Sequence, residues 1–278
     1  MTFRGEDTLQ RVQARSIAQN VEPGTFGRIL VVDNDSRPLS ARRVDKLRHL
    51  YGPHRDRVEV VARSAVADIP DVRGWISQQI LKLRVAELVS APWYVLLDSK
   101  NHVIRHTDRR VFIGDDARAH GGTHGYEGHP HQKRLQHVLD YLGLPDTRQQ
   151  DFPPTTTPVV MRTDVVREIL RNLAPAGSGS FEDEFVRAEL TEFFLYAGWL
   201  ARHHGGWEHL YGPAPIQSPV VWRGKWQQAI ASAEELDAPF FAVHRGTLAR
   251  LPRDAAQAVA QFWVDRGLFA TVSEAREG

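Results

Sequence analysis

The stretch Trp93-Tyr-Val-Leu-Leu-Asp98-Ser-Lys-Asn101 decides how the fold is read. An apolar run stops at a carboxylate, and a hydroxyl, an ammonium and an amide follow at once. A short apolar run bounded by turn-forming residues reads as a buried strand. Arg28-Ile-Leu-Val-Val-Asp33 and Arg57-Val-Glu-Val-Val-Ala62 read the same way. Helical patterns alternate with these runs over Glu6–Asn20, Ser40–Leu50 and Gly74–Val89. In the last, Ile76, Ile80, Leu83 and Glu87 follow one line with Leu88 nearby, while Gln78 and Lys82 follow another. Strand alternating with helix predicts an α/β fold whose mostly parallel central sheet is flanked by helices.

Composition narrows the class. Of 278 residues, 42% are hydrophobic and 25% charged, which suits a globular chain with a substantial core. Lys plus Arg is 35 and Asp plus Glu is 34, a balance that argues against a general nucleic-acid or membrane surface. There is no cysteine, so disulfides, iron–sulfur clusters and thiol catalysis are excluded. Any metal must be held by His, Asp, Glu or carbonyl oxygen. No stretch reaches transmembrane length and the N-terminus lacks the apolar centre of a signal peptide, so the expectation is a cytoplasmic protein with no integral membrane segment.

Beyond residue 110 the pattern is less regular. Gly114–Pro130 reads as a loop, His131–Leu142 as a helix, and Thr155–Met161 as a strand. Thr163 is expected to cap a helix running to Leu173, through a hydroxyl that accepts free backbone N–H groups. Ala174–Ser180 reads as a linker and Phe181–His203 as one long amphipathic helix. Val220–Trp222 and Phe240–His244 read as short strands, and Leu251–Arg266 as a closing helix. The linkers are too short to split the chain, so a single domain is expected.

In a parallel sheet, ligands bind beyond the carboxyl ends of strands. Asp98 stands at such an end on this reading. It admits two explanations: a turn former, or part of a cluster with Ser99, Lys100 and Asn101 that grips a diphosphate and its metal. Magnesium takes one or two carboxylates plus phosphate oxygens, and lysine offers phosphate a point charge.

Gly74-Trp-Ile-Ser-Gln-Gln-Ile-Leu-Lys-Leu83 followed by the Trp93–Asn101 segment resembles an uncharacterised family of bacterial glycosyltransferase-like proteins with a GT-A, nucleotide-diphospho-sugar transferase fold. Thr156-Thr-Pro-Val-Val-Met161, Thr191-Glu-Phe-Phe-Leu-Tyr196 and Phe240-Phe-Ala-Val-His-Arg245 extend the resemblance in order along the chain. It implies one GT-A-like domain, residues 1–110 forming a nucleotide-donor half and 111–278 an acceptor and catalytic half. It places Asp98 at the first acidic position of an Asp-x-Asp motif and Lys100 at the second, a departure that leaves two alternatives. Either Lys100 itself neutralises the diphosphate, or Asp98 holds a divalent cation (Mn or Mg) with a distant ligand, for which His244 is the candidate. His244 is equally readable as a core histidine at a strand end. The resemblance also implies that Gln79 contacts the donor sugar. The opening Met1-Thr-Phe-Arg-Gly-Glu-Asp7 resembles the far end of the first strand of such a fold running into the first helix, so that strand is expected to be short or missing; either the true start lies upstream or the nucleotide pocket is built differently.

Sugar transfer passes through an oxocarbenium-like transition state. An inverting route needs a carboxylate to take the acceptor's proton, and positive charge at the leaving diphosphate. On a continuous helix Glu192 shares a face with Phe185, Ala188, Leu195, Tyr196 and Trp199. An acid among apolar neighbours is expected to be raised in pKa, which suits a base; a rim glutamate paired with arginine is the plainer alternative. Lys82 is readable as a second phosphate contact or as an exposed lysine. Glu182, Asp183 and Glu184 need no purpose beyond the helix dipole. The loop His120-Gly-Gly-Thr-His-Gly-Tyr-Glu-Gly-His-Pro-His131 is readable as an acceptor loop, a solvated loop or, without helical His spacing, a weak zinc site.

The resulting expectation is a glycosyltransferase that moves a sugar from a nucleotide-diphosphate donor to a small-molecule or glycan hydroxyl. Asp98, Lys100, Asn101, Lys82 and Gln79 would bind the donor, Asp98 and His244 the cation, and Glu192 would act as base. The alternative is a non-catalytic nucleotide-sugar-binding or scaffold protein.

Overall fold

A computed structural model describes residues 5–173, 179–222 and 224–276. The fold is α/β, and the chain forms two compact units interleaved in sequence. The first contains Met1–Val61, Leu97–Val111 and Ile216–Gly278; the second contains Ala62–Leu96 and Phe112–Pro215. The expected halves, 1–110 and 111–278, are a division along the chain, whereas each unit gathers segments distant in sequence. The opening Met1–Arg4 and most of the expected 174–180 linker lie outside the described residues.

The first unit is built around Phe240–Val243. All four residues are fully buried, because this strand is flanked on both edges. Asn101–Val103 pairs with it antiparallel, Asn101 facing Ala242. Val220–Val221 pairs with it parallel, Val221 facing Val243. A run apolar on both faces is what a covered central strand requires. The helices Asp7–Asn20, Trp226–Glu235 and Arg253–Asp265 supply Val12, Ala229, Val259, Phe262 and Trp263 to the same core as Phe241 and Val243. Ile29–Asp33 and Val58–Ala62 form a separate two-stranded sheet. Asp33 is a turn former: its carboxylate accepts the N–H groups of Asp35 and Leu39.

In the second unit Trp93–Leu96 pairs antiparallel with Val159–Arg162, Trp93 facing Arg162 and Leu96 facing Val159. Ala119–His120 pairs parallel with Tyr211–Gly212. The described strands thus form small mixed sheets in place of the mostly parallel central sheet expected from sequence. The reason is physical: a run buried on both faces has the same composition whichever way its partner runs.

The expected helix 181–203 is two helices, Phe181–Arg187 and Glu192–His203. Glu189 between them takes a left-handed φ of 46°, and the N–H of Leu190 turns back to the carbonyl of Phe185 at 3.0 Å. The first helix opens with a reciprocal cap between Ser180 and Asp183. Glu182 clasps Arg84, and Glu184 binds Arg187 and Tyr141. The acidic run is therefore structural. Thr163 does not cap the next helix, as sequence suggested. It is that helix's first residue, Arg162 holds the capping position, and the Thr163 hydroxyl donates to the Ala91 carbonyl at 2.7 Å.

Glu192–His203 is the buried helix of this unit, covered by Gly74–Arg84, Gln132–Leu142 and Thr163–Asn172. Gly198 permits the approach, since a Cβ there would lie 2.5 Å from Leu142 Cδ1. A hydroxyl chain ties the helix to the sheet: the Arg162 N–H donates to Tyr196 Oη at 2.9 Å, Tyr196 lies 2.6 Å from Tyr211 Oη, and Tyr211 donates to the Val160 carbonyl at 2.8 Å. Because Tyr211 spends its proton on Val160, Tyr196 is the donor between the two phenols. Burial pushes both phenols well above their ordinary pKa.

The core of the first unit holds a costly imidazole. His102 is fully buried edge-on to Trp263, ring centroids 5.5 Å apart, and neither ring nitrogen has a hydrogen-bond partner. Burial lowers its pKa from 6.5 to about 3. The folded chain keeps this imidazole neutral over that window while the unfolded chain protonates it. Stability from this group is therefore present above the unfolded value of 6.5 and is lost as pH falls toward 3, by up to about 1.4 kcal/mol per pH unit. We expect His102→Leu to flatten this slope. Urea unfolding between about pH 4 and 8 should show the variant gaining on the wild type as pH falls, and parallel curves would refute the assignment.

Candidate functional site

The chain leaves the Trp93–Leu96 strand and enters the first unit at Leu97. Residues Asp98 to Asn101 then make a tight turn, closed by the Asn101 N–H on the Asp98 carbonyl at 3.0 Å. Side chains fix it from both sides. Asn101 Oδ1 accepts the Asp98 N–H at 3.0 Å, and Gln13 Nε2 donates to the carbonyls of Asp98 (2.6 Å) and Asn101 (3.0 Å). Ser99 Oγ donates to Glu6 at 2.6 Å. Burial raises the Glu6 pKa, partly opposed by that Ser99 bond.

Asn101 is fully buried, and its amide also reaches Ser218 Oγ at 3.4 Å. It holds the turn. Asp98 and Lys100 are different. Their side chains keep 16% and 14% of their surface, and Lys100 Nζ lies 2.8 Å from Asp98 Oδ2. The turn presents this ion pair at a partly open edge.

That edge is also the carboxyl end of the parallel strand pair. Lys100 O accepts the Val243 N–H at 3.0 Å, so Lys100 sits beside the last residue of the central strand. His244 follows directly, and Lys100 and Asp98 are the charges it feels. Burial, reinforced by the Lys100 charge, lowers the His244 pKa, with Asp98 opposing. Trp222 follows the neighbouring strand Val220–Val221 at the equivalent step, its ring 5.2 Å from that of His244 and tilted by 37°. Trp93–Leu96 is an antiparallel strand, so the carboxyl-end rule for parallel sheets does not apply to it. The rule applies instead to these two strands, whose ends carry Trp222 and His244. Sequence reasoning missed Trp222. The signal was two short strands each ending in an aromatic ring, but their pairing is a tertiary fact.

Asp98 and His244 are two ligands, one already faces an ammonium, and no group of three His, Asp or Glu able to hold a metal occurs among the described residues. Positive charge here is supplied by Lys100. The histidine loop likewise brings rings together and no metal shell: His124 stacks on buried Tyr126 at 4.3 Å, and His129 meets it edge-on at 4.9 Å.

The remaining expected residues lie in the second unit. Lys82 is not exposed. It is buried on the Gly74–Arg84 helix, 3.1 Å from Glu192 Oε1 and 4.9 Å from the centre of the Phe193 ring. Glu192 opens its helix, where a carboxylate suits the dipole, and is buried to 7% exposure. Gln79 is buried too. Its Oε1 accepts the Glu192 N–H at 3.3 Å and its Nε2 reaches the Trp75 carbonyl, so it secures the helix start. Phe185 lies on the other helix and Ala188 just past its end, so neither shares a helical face with Glu192, whose charged neighbour is the Lys82 ammonium.

Breaking one side of a buried ion pair leaves an uncompensated charge. We expect Lys82→Met to cost about 3–5 kcal/mol and Lys82→Met/Glu192→Gln to recover most of that loss, as read by urea unfolding. A single-variant loss below about 1 kcal/mol would show that the pair behaves as a surface ion pair.

A comparison with curated proteins finds no match. A family of unknown function, DUF6492, matches residues 4–263. That span covers nearly the whole chain, including both halves of the Asp98–His244 cluster and the Lys82–Glu192 pair, and the protein belongs to this family.

Proposed function

We propose that the protein binds a nucleotide-diphosphate sugar at the Asp98–Lys100–His244 edge and transfers the sugar to a small-molecule or glycan hydroxyl. One observation carries the reading: a lysine held by a carboxylate at the open carboxyl end of a parallel strand pair, on a turn fixed by buried side chains. An anionic ligand reaching Lys100 exchanges Asp98 for phosphate oxygen, and both are charge-assisted contacts. The Lys100 charge then opposes the charge that develops on the leaving diphosphate. In this reading Glu192 takes the acceptor's proton, which favours inversion. The GT-A-like single domain belongs to the same proposal, supported by the ordered resemblance along the chain.

A second reading has its own observation. Glu192 is buried and paired with Lys82, the arrangement of a structural carboxylate. On that ground the protein would bind a nucleotide sugar without turning it over.

One set of measurements separates the two. The wild type should be stabilised in thermal shift by nucleotide sugars and should slowly hydrolyse or transfer one, tested with and without manganese. Lys100→Ala should weaken donor binding roughly tenfold or more. Glu192→Gln, assayed well below its own melting temperature, should cut turnover by at least about a hundredfold while donor binding persists. Donor binding without turnover selects the binding protein. Absence of stabilisation by any nucleotide sugar removes both.

A further inference from the structure

We propose that Trp222 is the stacking face for the base of a nucleoside diphosphate whose phosphates meet Lys100. The inference rests on the donor-site reading and adds to it the part of the ligand that gives recognition beyond charge.

Trp222 is 53% exposed, although the strand that leads to it ends in fully buried Val221. Exposing an indole forgoes the stabilisation that apolar burial gives. Among the described residues only Trp75, Tyr141 and Leu236 are comparably large, apolar and open. The exposed ring is not isolated. It rests against His244, which limits its freedom, and His244 adjoins the Lys100–Asp98 pair.

The ordering follows from the sheet. Val221 faces Val243 in parallel register, and the Val243 N–H binds the Lys100 carbonyl. The indole, the imidazole and the ammonium therefore emerge at successive positions across one sheet end. A preset ring next to a held cation suits a ligand that joins a flat aromatic group to an anion. Stacking on an aromatic side chain is tolerant of base identity, because every base has a π-face. The site should accordingly bind several nucleoside diphosphates with similar affinity. A bare anion would use Lys100 alone.

Titration calorimetry with UDP, GDP, ADP and CDP, and separately with inorganic pyrophosphate, tests this on the full chain. The wild type should bind all four nucleotides more tightly than pyrophosphate. Trp222→Ala should weaken the nucleotides roughly 10- to 100-fold and leave pyrophosphate unchanged, while Trp222→Phe restores most of the loss. Lys100→Ala should weaken nucleotides and pyrophosphate alike. If nucleotides bind and Trp222→Ala does not affect them, the stacking role is wrong and the donor site stands. If Trp222→Ala weakens pyrophosphate equally, Trp222 supports the edge mechanically and the stacking role is again wrong. If no nucleotide binds the wild type, the stacking role and the donor-site reading fall together.

Discussion

The turn from Asp98 to Asn101 is the constraint on which the first unit depends. It sits where the chain arrives from the other unit and must enter a buried sheet without leaving backbone groups unpaired. Asn101 does this by binding back to the Asp98 N–H, and Gln13 by bridging the two carbonyls from the first helix. Each bond is worth only about 1 kcal/mol net, but leaving any of these groups buried and unpaired would cost more. With the turn fixed, Asn101–Val103 enters in register against Phe240–Val243, and that strand in turn positions Val220–Val221. The open edge bearing Lys100, Asp98, His244 and Trp222 is a consequence of this geometry.

Two lysine–carboxylate pairs show how burial sets the use of the same chemistry. Lys100 and Asp98 are two residues apart in sequence, partly open, and 2.8 Å apart. The open part of such a pair is where water or an anion can reach it. Lys82 and Glu192 are 110 residues apart and almost wholly buried. Desolvation makes that pair costly to break and ill suited to exchange. Chemistry assigned to Glu192 must work against that cost, whereas binding assigned to Lys100 need not.

Much of the local structure was legible. Ile29–Asp33, Asp7–Asn20, Gln132–Leu142 and Phe240–Val243 lie where apolar spacing places them, because spacing reports which faces are covered. Other features were not. The break at Glu189 carries no Gly or Pro, so nothing in the local pattern marks its left-handed φ. Lys82 looked like one step of a polar stripe, and the partner that draws it inside lies far along the chain. Gln79 and Asn101 were read as ligand contacts because their amides are versatile, and that same versatility lets them satisfy backbone groups.

By itself the sequence determined the α/β class, the absence of cysteine chemistry, and the grouping of Asp98, Ser99, Lys100 and Asn101 in one turn, since composition and close spacing are properties of the chain alone. Only the tertiary structure decided which of those four faces outward, which strand ends carry the edge, and that Trp222 stands beside His244. The physical reason is that strand direction and partner choice are settled by contacts between distant segments, which apolar periodicity cannot record.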